Sequence, residues 1–150
     1  MAKILLVGWD DVSWKEATSS VCPRLAAFRE TAYEAIYTFS HPVCSQSRSA
    51  ILFGSYGKKI GTWKDIGSLT PQPHTPPASL LTLPGLLKDD GYETALVGKW
   101  HCGPETTGAH WAMAPVERGY DQWLAGTRLN LDSYDAWLRV DASATGFTGT

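Results

Sequence analysis

Two adjacent carboxylates, Asp10 and Asp11, follow a short apolar run from Lys3 to Gly8. Such a run predicts a strand buried on both faces, as in a parallel sheet. Ligand sites in open α/β sheets collect at the carboxyl ends of strands, where this pair would lie. Neighbouring like charges repel each other, and a hard divalent cation removes the conflict by taking oxygen ligands from both. The pair is therefore a candidate metal site, with a solvated turn as the alternative.

A lysine and a histidine, Lys99 and His101, follow a second predicted strand, Tyr92 to Val97. Residues two apart on an extended segment project to the same side. Two donors aimed at one oxyanion can bind it and protonate a leaving oxygen. The alternative is a pair of ordinary surface groups. The histidines outside any motif are expected in loops or in the core; they are His41, His74 and His110.

Cys44 precedes a predicted helix, Ser47 to Phe53, which Gly54 ends. The positive end of that helix, with its free N–H groups, suits an anionic substrate. The alternative for Cys44 is a small buried apolar residue, the usual fate of a free cysteine. With Cys22 and Cys102 the chain has three cysteines and no C-x-x-C spacing, which indicates neither a disulfide framework nor a zinc cluster.

The remaining pattern predicts an α/β fold with a mostly parallel sheet flanked by helices. Further helices are predicted at Pro23 to Thr31, from the cap Thr82 to the stop at Gly91, and at Tyr134 to Val140. A further strand is predicted at Tyr33 to Phe39. Residues 55–77 are rich in Gly, Pro, Ser and Lys and are interpreted as a long surface loop.

The composition is that of one ordinary domain of 150 residues with a formal net charge of -2. Interspersed charges favour neither a nucleic-acid partner nor a membrane partner. No apolar run approaches the roughly 18 residues of a membrane span. Asp10 follows too soon after Met1 for a signal peptide, so a cytoplasmic location is expected. The seven tryptophans favour core packing; the alternative is carbohydrate stacking by Trp63, Trp111 or Trp123.

Three features together resemble the N-terminal portion of the sulfatase family, in the alkaline phosphatase superfamily. They are the string Cys44-Ser45-Gln46-Ser47-Arg48, the string Gly98-Lys99-Trp100-His101 with Gly103, and the pair Asp10-Asp11. The resemblance extends over most of the chain through residues 82–94 and the string Arg118-Gly119-Tyr120-Asp121. Two positions depart from the pattern. Gln46 stands where the family usually has Pro or Ala, and Cys102 replaces the commoner Leu.

The resemblance implies a sulfuric ester hydrolase with a sulfatase-like α/β fold. It implies that a maturation enzyme oxidises Cys44 to formylglycine, the nucleophile, and that Arg48 orients and charge-balances it. Lys99 and His101 would bind the sulfate. Asp10, Asp11 and residue 44 would bind Ca²⁺ or Mg²⁺. The implied substrate is a small-molecule or saccharide sulfate ester, and Gln46 lies at a position that the maturation enzyme reads.

Two alternatives to a sulfatase remain. A phosphonate or phosphate monoester hydrolase of the same superfamily could share these motifs, because both substrates are tetrahedral oxyanions. A truncated, non-catalytic sulfatase-like protein is the other, supported by Gln46 and by the lack of the family's further Asp-Asn or Asp-His ligands between Gly126 and Thr150. We expect residues 1–150 to form part of an N-terminal catalytic domain whose downstream half is absent.

Overall fold

A computed structural model describes residues 2–63, 76–103, 110–127, 133 and 135–149. The chain folds as two compact units, Met1–Ser40 and His41–Thr150. The first unit contains helix α1, Pro23–Arg29, which begins with proline in its first turn. Proline suits that position because its missing N–H has no intrahelical partner there. The helix predicted from Pro23 is thus confirmed, although it ends before Thr31.

The strands predicted at Lys3 to Gly8 and at Tyr33 to Phe39 are wrong. Neither run forms a strand in the described part of the first unit, and their large side chains are exposed, Leu5 by 87% and Phe39 by 90%. A strand exists only where its backbone bonds to a neighbouring strand. An apolar run alone does not supply that neighbour, which is why the pattern predicted strands that do not form here.

The second unit contains four described helices: α2 (Cys44–Phe53), α3 (Gly57–Ile60), α4 (Leu83–Asp89) and α5 (His110–Glu117). Helix α2 ends as predicted at Gly54, whose φ of 59° is left-handed, a conformation that glycine adopts without strain. Helix α4 begins as predicted after Thr82, whose side chain accepts a hydrogen bond from the Gly85 N–H at 3.1 Å. That bond satisfies one of the free N–H groups of the first turn.

In the described part of the second unit, four strands form one sheet in the order β1-β2-β3-β4. They are β1 (Ala95–Lys99), β2 (Gln122–Thr127), β3 (Val140–Ser143) and β4 (Gly146–Gly149). The pair β1 and β2 is parallel, while β2 with β3 and β3 with β4 are antiparallel. The α/β class is confirmed, and the described sheet is mixed. Strand β1 begins three residues later than predicted, and Val97 is 69% exposed, so it is not buried on both faces.

The helix predicted from Tyr134 to Val140 is wrong. Residues 135–139 are irregular, and Val140 begins β3, where it pairs with Gly126. Sheet pairing thus overrides a short helical pattern at this position. Residues 64–75 of the predicted long loop, which include His74, lie outside the described residues, as do Tyr134 and the side chain of His110.

The core of the second unit contains two buried tryptophans, Trp100 and Trp123, which confirms the core-packing interpretation for both. The ring of Trp123 meets that of Trp111 edge-on at 6.2 Å between centroids, a favourable aromatic geometry. A stacking role for Trp123 is excluded because its side chain is fully buried. The other buried members of the core are Leu52, Cys102, Ala112, Ala114, Val140 and Ala142. Of the described helices, not one has the length and apolarity needed to cross a bilayer.

Candidate active site

Cys44 and His101, which are 57 residues apart in sequence, meet in the structure. The Sγ of Cys44 lies 3.1 Å from Nδ1 of His101, within hydrogen-bonding distance. Cys44 is the first residue of α2 and is half-buried, whereas His101 follows β1 and is only 3% exposed. The N-cap residue Val43 gives no side-chain hydrogen bond to α2. The positive end of this helix therefore lies beside a thiol and an imidazole, a setting that suits an anion.

Arg48 joins the same two elements from the next turn of α2. Its Nη1 donates a hydrogen bond to the carbonyl oxygen of Lys99 at 2.6 Å. The four residues predicted to be catalytic thus form two pairs. Cys44 on α2 contacts His101 just after β1, and Arg48 on α2 contacts the backbone of Lys99 at the end of β1. The structure accordingly brings the two predicted motifs to one place in the second unit.

His101 does not continue the extended strand. Its φ is 50°, in the left-handed region that non-glycine residues adopt at a cost. The expectation that Lys99 and His101 lie on one extended segment is therefore wrong at His101. The turn instead directs the imidazole to Cys44, while Lys99 stays at the end of β1. Such strained residues cluster at functional sites.

Cys102, which follows His101 in sequence, has a buried thiol. Its Sγ donates a hydrogen bond to the carbonyl oxygen of Trp100 at 3.3 Å. Burial raises the pKa of the Cys102 thiol to about 12, against smaller opposing effects of Ser49 and of the Arg48 charge. Near pH 7 Cys102 is therefore protonated, and it packs in the core as an apolar residue. Of the two neighbouring cysteines, Cys44 is the accessible one.

The start of β1 is held by a polar clamp between Thr94 and Asp121. Oδ2 of Asp121 accepts hydrogen bonds from the N–H of Thr94 at 2.8 Å and from its hydroxyl at 3.1 Å. Oδ1 forms an ion pair with Lys88 on α4 at 2.6 Å. The hydrogen bond from Lys88, and then those from Thr94, hold the pKa of Asp121 below its ordinary 3.8. The clamp places the beginning of the strand that leads to Lys99.

Sequence reasoning missed the support beneath the end of β1. Nε1 of Trp123 donates a hydrogen bond to the carbonyl oxygen of Gly98 at 2.8 Å, and Gly98 has a φ of 90°. The glycine before Lys99 was the only local signal of an unusual backbone there. The tryptophan is 25 residues away in sequence, and no spacing rule connects the two.

Asp10 and Asp11 belong to the first unit, where both are exposed. They lie in irregular chain, and Asp11 has a left-handed φ of 57°, which Asp tolerates better than most residues. Their oxygen donors fit a hard cation, although two carboxylates give fewer than the six or so ligands that Ca²⁺ or Mg²⁺ takes. Among the described residues, no group of three or more His, Cys, Asp or Glu side chains is placed to hold a metal. The metal roles of Asp10, Asp11 and Cys44 stay predictions.

The known proteins that this chain is similar to include sulfatases. A family model described as Sulfatase matches residues 3–143. The N-acetylgalactosamine-6-sulfatase of Sus scrofa is 30% identical over 137 residues, which cover 86% of this chain and 25% of that relative. An arylsulfatase of Hemicentrotus pulcherrimus is 40% identical over 84 residues, or 53% of this chain and 15% of the relative.

A solved structure titled "Crystal structure of Ps i-CgsB" is 32% identical with a TM-score of 0.48, covering 63% of this chain and 19% of that one. The chain spans about a quarter of the length of the curated relatives that match most of it, 25% for the Sus scrofa protein.

Proposed function

This chain belongs to the sulfatase family, and from that premise we propose that it forms the N-terminal portion of a catalytic domain that hydrolyses sulfate monoesters. The observation that supports the proposal is the contact of 3.1 Å between Cys44 and His101 at the start of α2. The reaction consumes a sulfate ester and water and releases an alcohol and hydrogen sulfate. We propose a small-molecule or saccharide ester, since one relative is named an N-acetylgalactosamine-6-sulfatase.

We propose Cys44 as the residue that a maturation enzyme converts to formylglycine. The hydrate of that group supplies an oxygen nucleophile and a second hydroxyl, whose deprotonation expels sulfate from the enzyme. In the unmodified chain, Sγ of Cys44 stands in for those oxygens, because all three atoms are bonded to the same Cβ. The half-buried position of Cys44 beside a helix N-terminus fits such a nucleophile.

The neighbouring side chains have separate proposed roles. His101, within hydrogen-bonding distance of the side chain at position 44, can move a proton at that position or at the departing alcohol oxygen. Lys99 supplies a fixed positive charge for the sulfate oxygens. Arg48 holds the Lys99 carbonyl and so places the lysine backbone relative to α2, besides balancing negative charge at position 44.

We propose that Asp10 and Asp11 contribute oxygen ligands to Ca²⁺ or Mg²⁺. Such a cation would draw charge from the sulfate oxygens as the ester bond breaks. Both carboxylates are exposed and so accessible to a cation. Because two carboxylates are too few for a hard cation, further oxygen ligands are needed to complete the site.

The test is peptide mapping at position 44 after co-expression with a formylglycine-generating enzyme, followed by assays of paired aryl sulfate and aryl phosphonate esters on the full-length protein. The proposal expects a peptide that has lost sulfur and two hydrogens and gained one oxygen, with faster hydrolysis of the sulfate. The matched control is Cys44→Ala, which should lack both the modification and the activity. A peptide that carries only free thiol, or faster hydrolysis of the phosphonate, would contradict it.

A further inference from the structure

Strand β2 bulges opposite the end of β1. Val97 pairs with Leu124, and Lys99 pairs with Thr127, so β2 advances three residues where β1 advances two. One residue of β2 is therefore extra, which defines a β-bulge. Beyond it the backbone bonding resumes, because the N–H of Trp100 donates to the carbonyl oxygen of Thr127 at 2.9 Å. Lys99 thus lies directly after the irregular step.

The same irregularity occurs on the other side of β2. From Trp123 to Gly126 the strand again advances three residues where β3 advances two. Ala125, which lies between them, has a left-handed φ of 47°. Its N–H donates a hydrogen bond to Oδ1 of Asp141 at 2.6 Å rather than to a strand carbonyl. The segment Leu124–Gly126 is called the β2 bulge below.

The indole of Trp123 spans the β2 bulge. Its side chain is fully buried, and its Nε1 donates to the Gly98 carbonyl at 2.8 Å. A Cβ on Gly126 would lie 2.2 Å from Cε2 of this indole, so the ring occupies the space that a side chain there would take. At the other end, Gly98 has a φ of 90°, which favours glycine. The two glycines thus provide the room and the backbone angle that this contact requires.

We propose that Trp123 is a positioning residue for Lys99 and His101, acting through its hydrogen bond to Gly98. Lys99 is the next residue, and its carbonyl accepts from Arg48; His101 follows two residues later and meets Cys44. A change of one residue in strand register moves side chains to the opposite face. The indole N–H therefore holds the backbone in the one register that brings the Lys99 carbonyl and the His101 side chain to α2. The catalytic part of this inference rests on the proposed sulfatase function.

Trp123→Phe tests the inference, because phenylalanine keeps an aromatic ring and lacks the N–H. In the chain itself, the expected result is a change in the NMR resonances of Gly98, Lys99 and His101, including the His101 ring nitrogens. Trp137→Phe is the matched control, since Trp137 is 45% exposed; it should leave those resonances unchanged. In the matured full-length enzyme, Trp123→Phe should lower kcat by about 10- to 100-fold with less effect on KM, the result of misplaced catalytic groups. Unchanged resonances in a folded Trp123→Phe protein would overturn the inference.

A second variant tests the packing around the indole, and a measurement on the wild-type chain covers the case in which Trp123→Phe does not fold. Gly126→Ala should be destabilising alone and better tolerated with Trp123→Phe, because phenylalanine lacks the indole atoms that the new methyl group would meet. Additive effects of the two changes would contradict the packing on which the inference rests. In the wild-type chain, a scalar coupling across the hydrogen bond from Trp123 Nε1 to the Gly98 carbonyl carbon is expected, and its absence would overturn the inference.

These readouts separate the two proposals. Resonance changes at Lys99 and His101 together with inactive full-length enzyme would refute the sulfatase proposal and leave the positioning role of Trp123 intact. An active enzyme whose kcat does not respond to Trp123→Phe would refute the positioning role of Trp123 and leave the sulfatase proposal intact.

Discussion

Arg48 donates a hydrogen bond of 2.6 Å to the carbonyl oxygen of Lys99, and this bond ties helix α2 to the end of strand β1. The two strings that carry the family resemblance are therefore joined by a charged side chain and a backbone carbonyl. The second join is the contact between Cys44 and His101. The two joins come from successive turns of α2, so the placement of Cys44 and of Lys99 depends on the same short stretch of helix.

Arg48→Lys should therefore impair the site even though the substitution keeps the positive charge. A lysine ammonium is a single point charge and lacks the planar guanidinium fork, so the bond to the Lys99 carbonyl would be lost or displaced. A hydrogen bond from a charged group contributes about 1.5–3 kcal/mol, and we expect a loss of unfolding free energy toward the low end of that range because Arg48 is half-buried. Urea denaturation measures it, with the exposed Arg24→Lys on α1 as control. If both variants are as stable as wild type, the hydrogen bond from Arg48 to the Lys99 carbonyl does not stabilise the fold, which would contradict the expectation.

Gln46→Pro should raise the fraction of chains that carry formylglycine. Position 46 is the third residue of α2, and the first bond of this helix is donated by Ser47 to Val43 at 3.2 Å. Proline is tolerated in the first turn because no intrahelical bond needs its N–H, so the helix should persist. Quantitative peptide mapping after co-expression with a maturation enzyme measures the fraction. Gln46→Ala, which is compatible with the helix and also restores a residue usual in the family, should raise the fraction as well. An equal or lower fraction than wild type in both variants would contradict the expectation.

Helices α1, α2 and α4 could be predicted from sequence because their signals are local. Gly54 ends α2 and Thr82 caps α4 through contacts that span at most a few residues. The strands at Lys3 to Gly8 and at Tyr33 to Phe39 could not, because a strand depends on a partner that an apolar run does not specify. Helix α2 and strand β1 were placed well enough to bring Cys44 and His101 into one candidate site.

The conformation of the site is set by contacts between residues far apart in sequence. The left-handed turn at His101, the β2 bulge and the bond from Trp123 to Gly98 all depend on sheet register. Register follows from packing across strands, which a single sequence does not display. The site was thus predicted as a set of residues, while its support from Trp123 and Asp121 was not.

Asp121 should make folding sensitive to acid. Hydrogen bonds from Lys88 and Thr94 hold the pKa of this carboxyl below its ordinary 3.8, so the folded state binds its proton less readily than the unfolded state. The stabilisation is present above pH 3.8 and is lost as the pH falls through the lower folded-state value. Asp121→Asn should flatten the dependence of Tm on pH in that acidic range. The exposed Asp90→Asn is the control, and an identical acid profile for Asp121→Asn and wild type would rule out the clamp.

Cys102 should make folding sensitive to alkali. Burial raises the pKa of its thiol from 9.0 to about 12, so the unfolded chain releases this proton first as the pH rises. The contribution of this thiol to the free energy of unfolding is therefore fully present below pH 9 and is lost as the pH rises toward 12. The slope is at most about 1.4 kcal/mol per pH unit for one proton. Burial also raises the pKa of Tyr120, so the effect of the thiol is obtained by difference. Cys102→Ala should show a shallower loss of Tm above pH 9, and equal slopes would contradict the assignment.

Lys99 and His101 should differ in how their loss affects hydrolysis by the complete enzyme. Lys99→Ala removes a fixed charge from the transition state, so kcat/KM should fall roughly 100-fold or more whatever the leaving group, as for the loss of one oxyanion donor. His101 can instead donate a proton to the departing oxygen. Its replacement by alanine should harm esters of weakly acidic alcohols more than activated aryl esters, whose leaving groups need little protonation. A leaving-group series on wild type and both variants measures the slopes. If wild type and His101→Ala give equal slopes, the acid role is excluded, and the buried imidazole beside Cys44 then acts on position 44 or in binding alone.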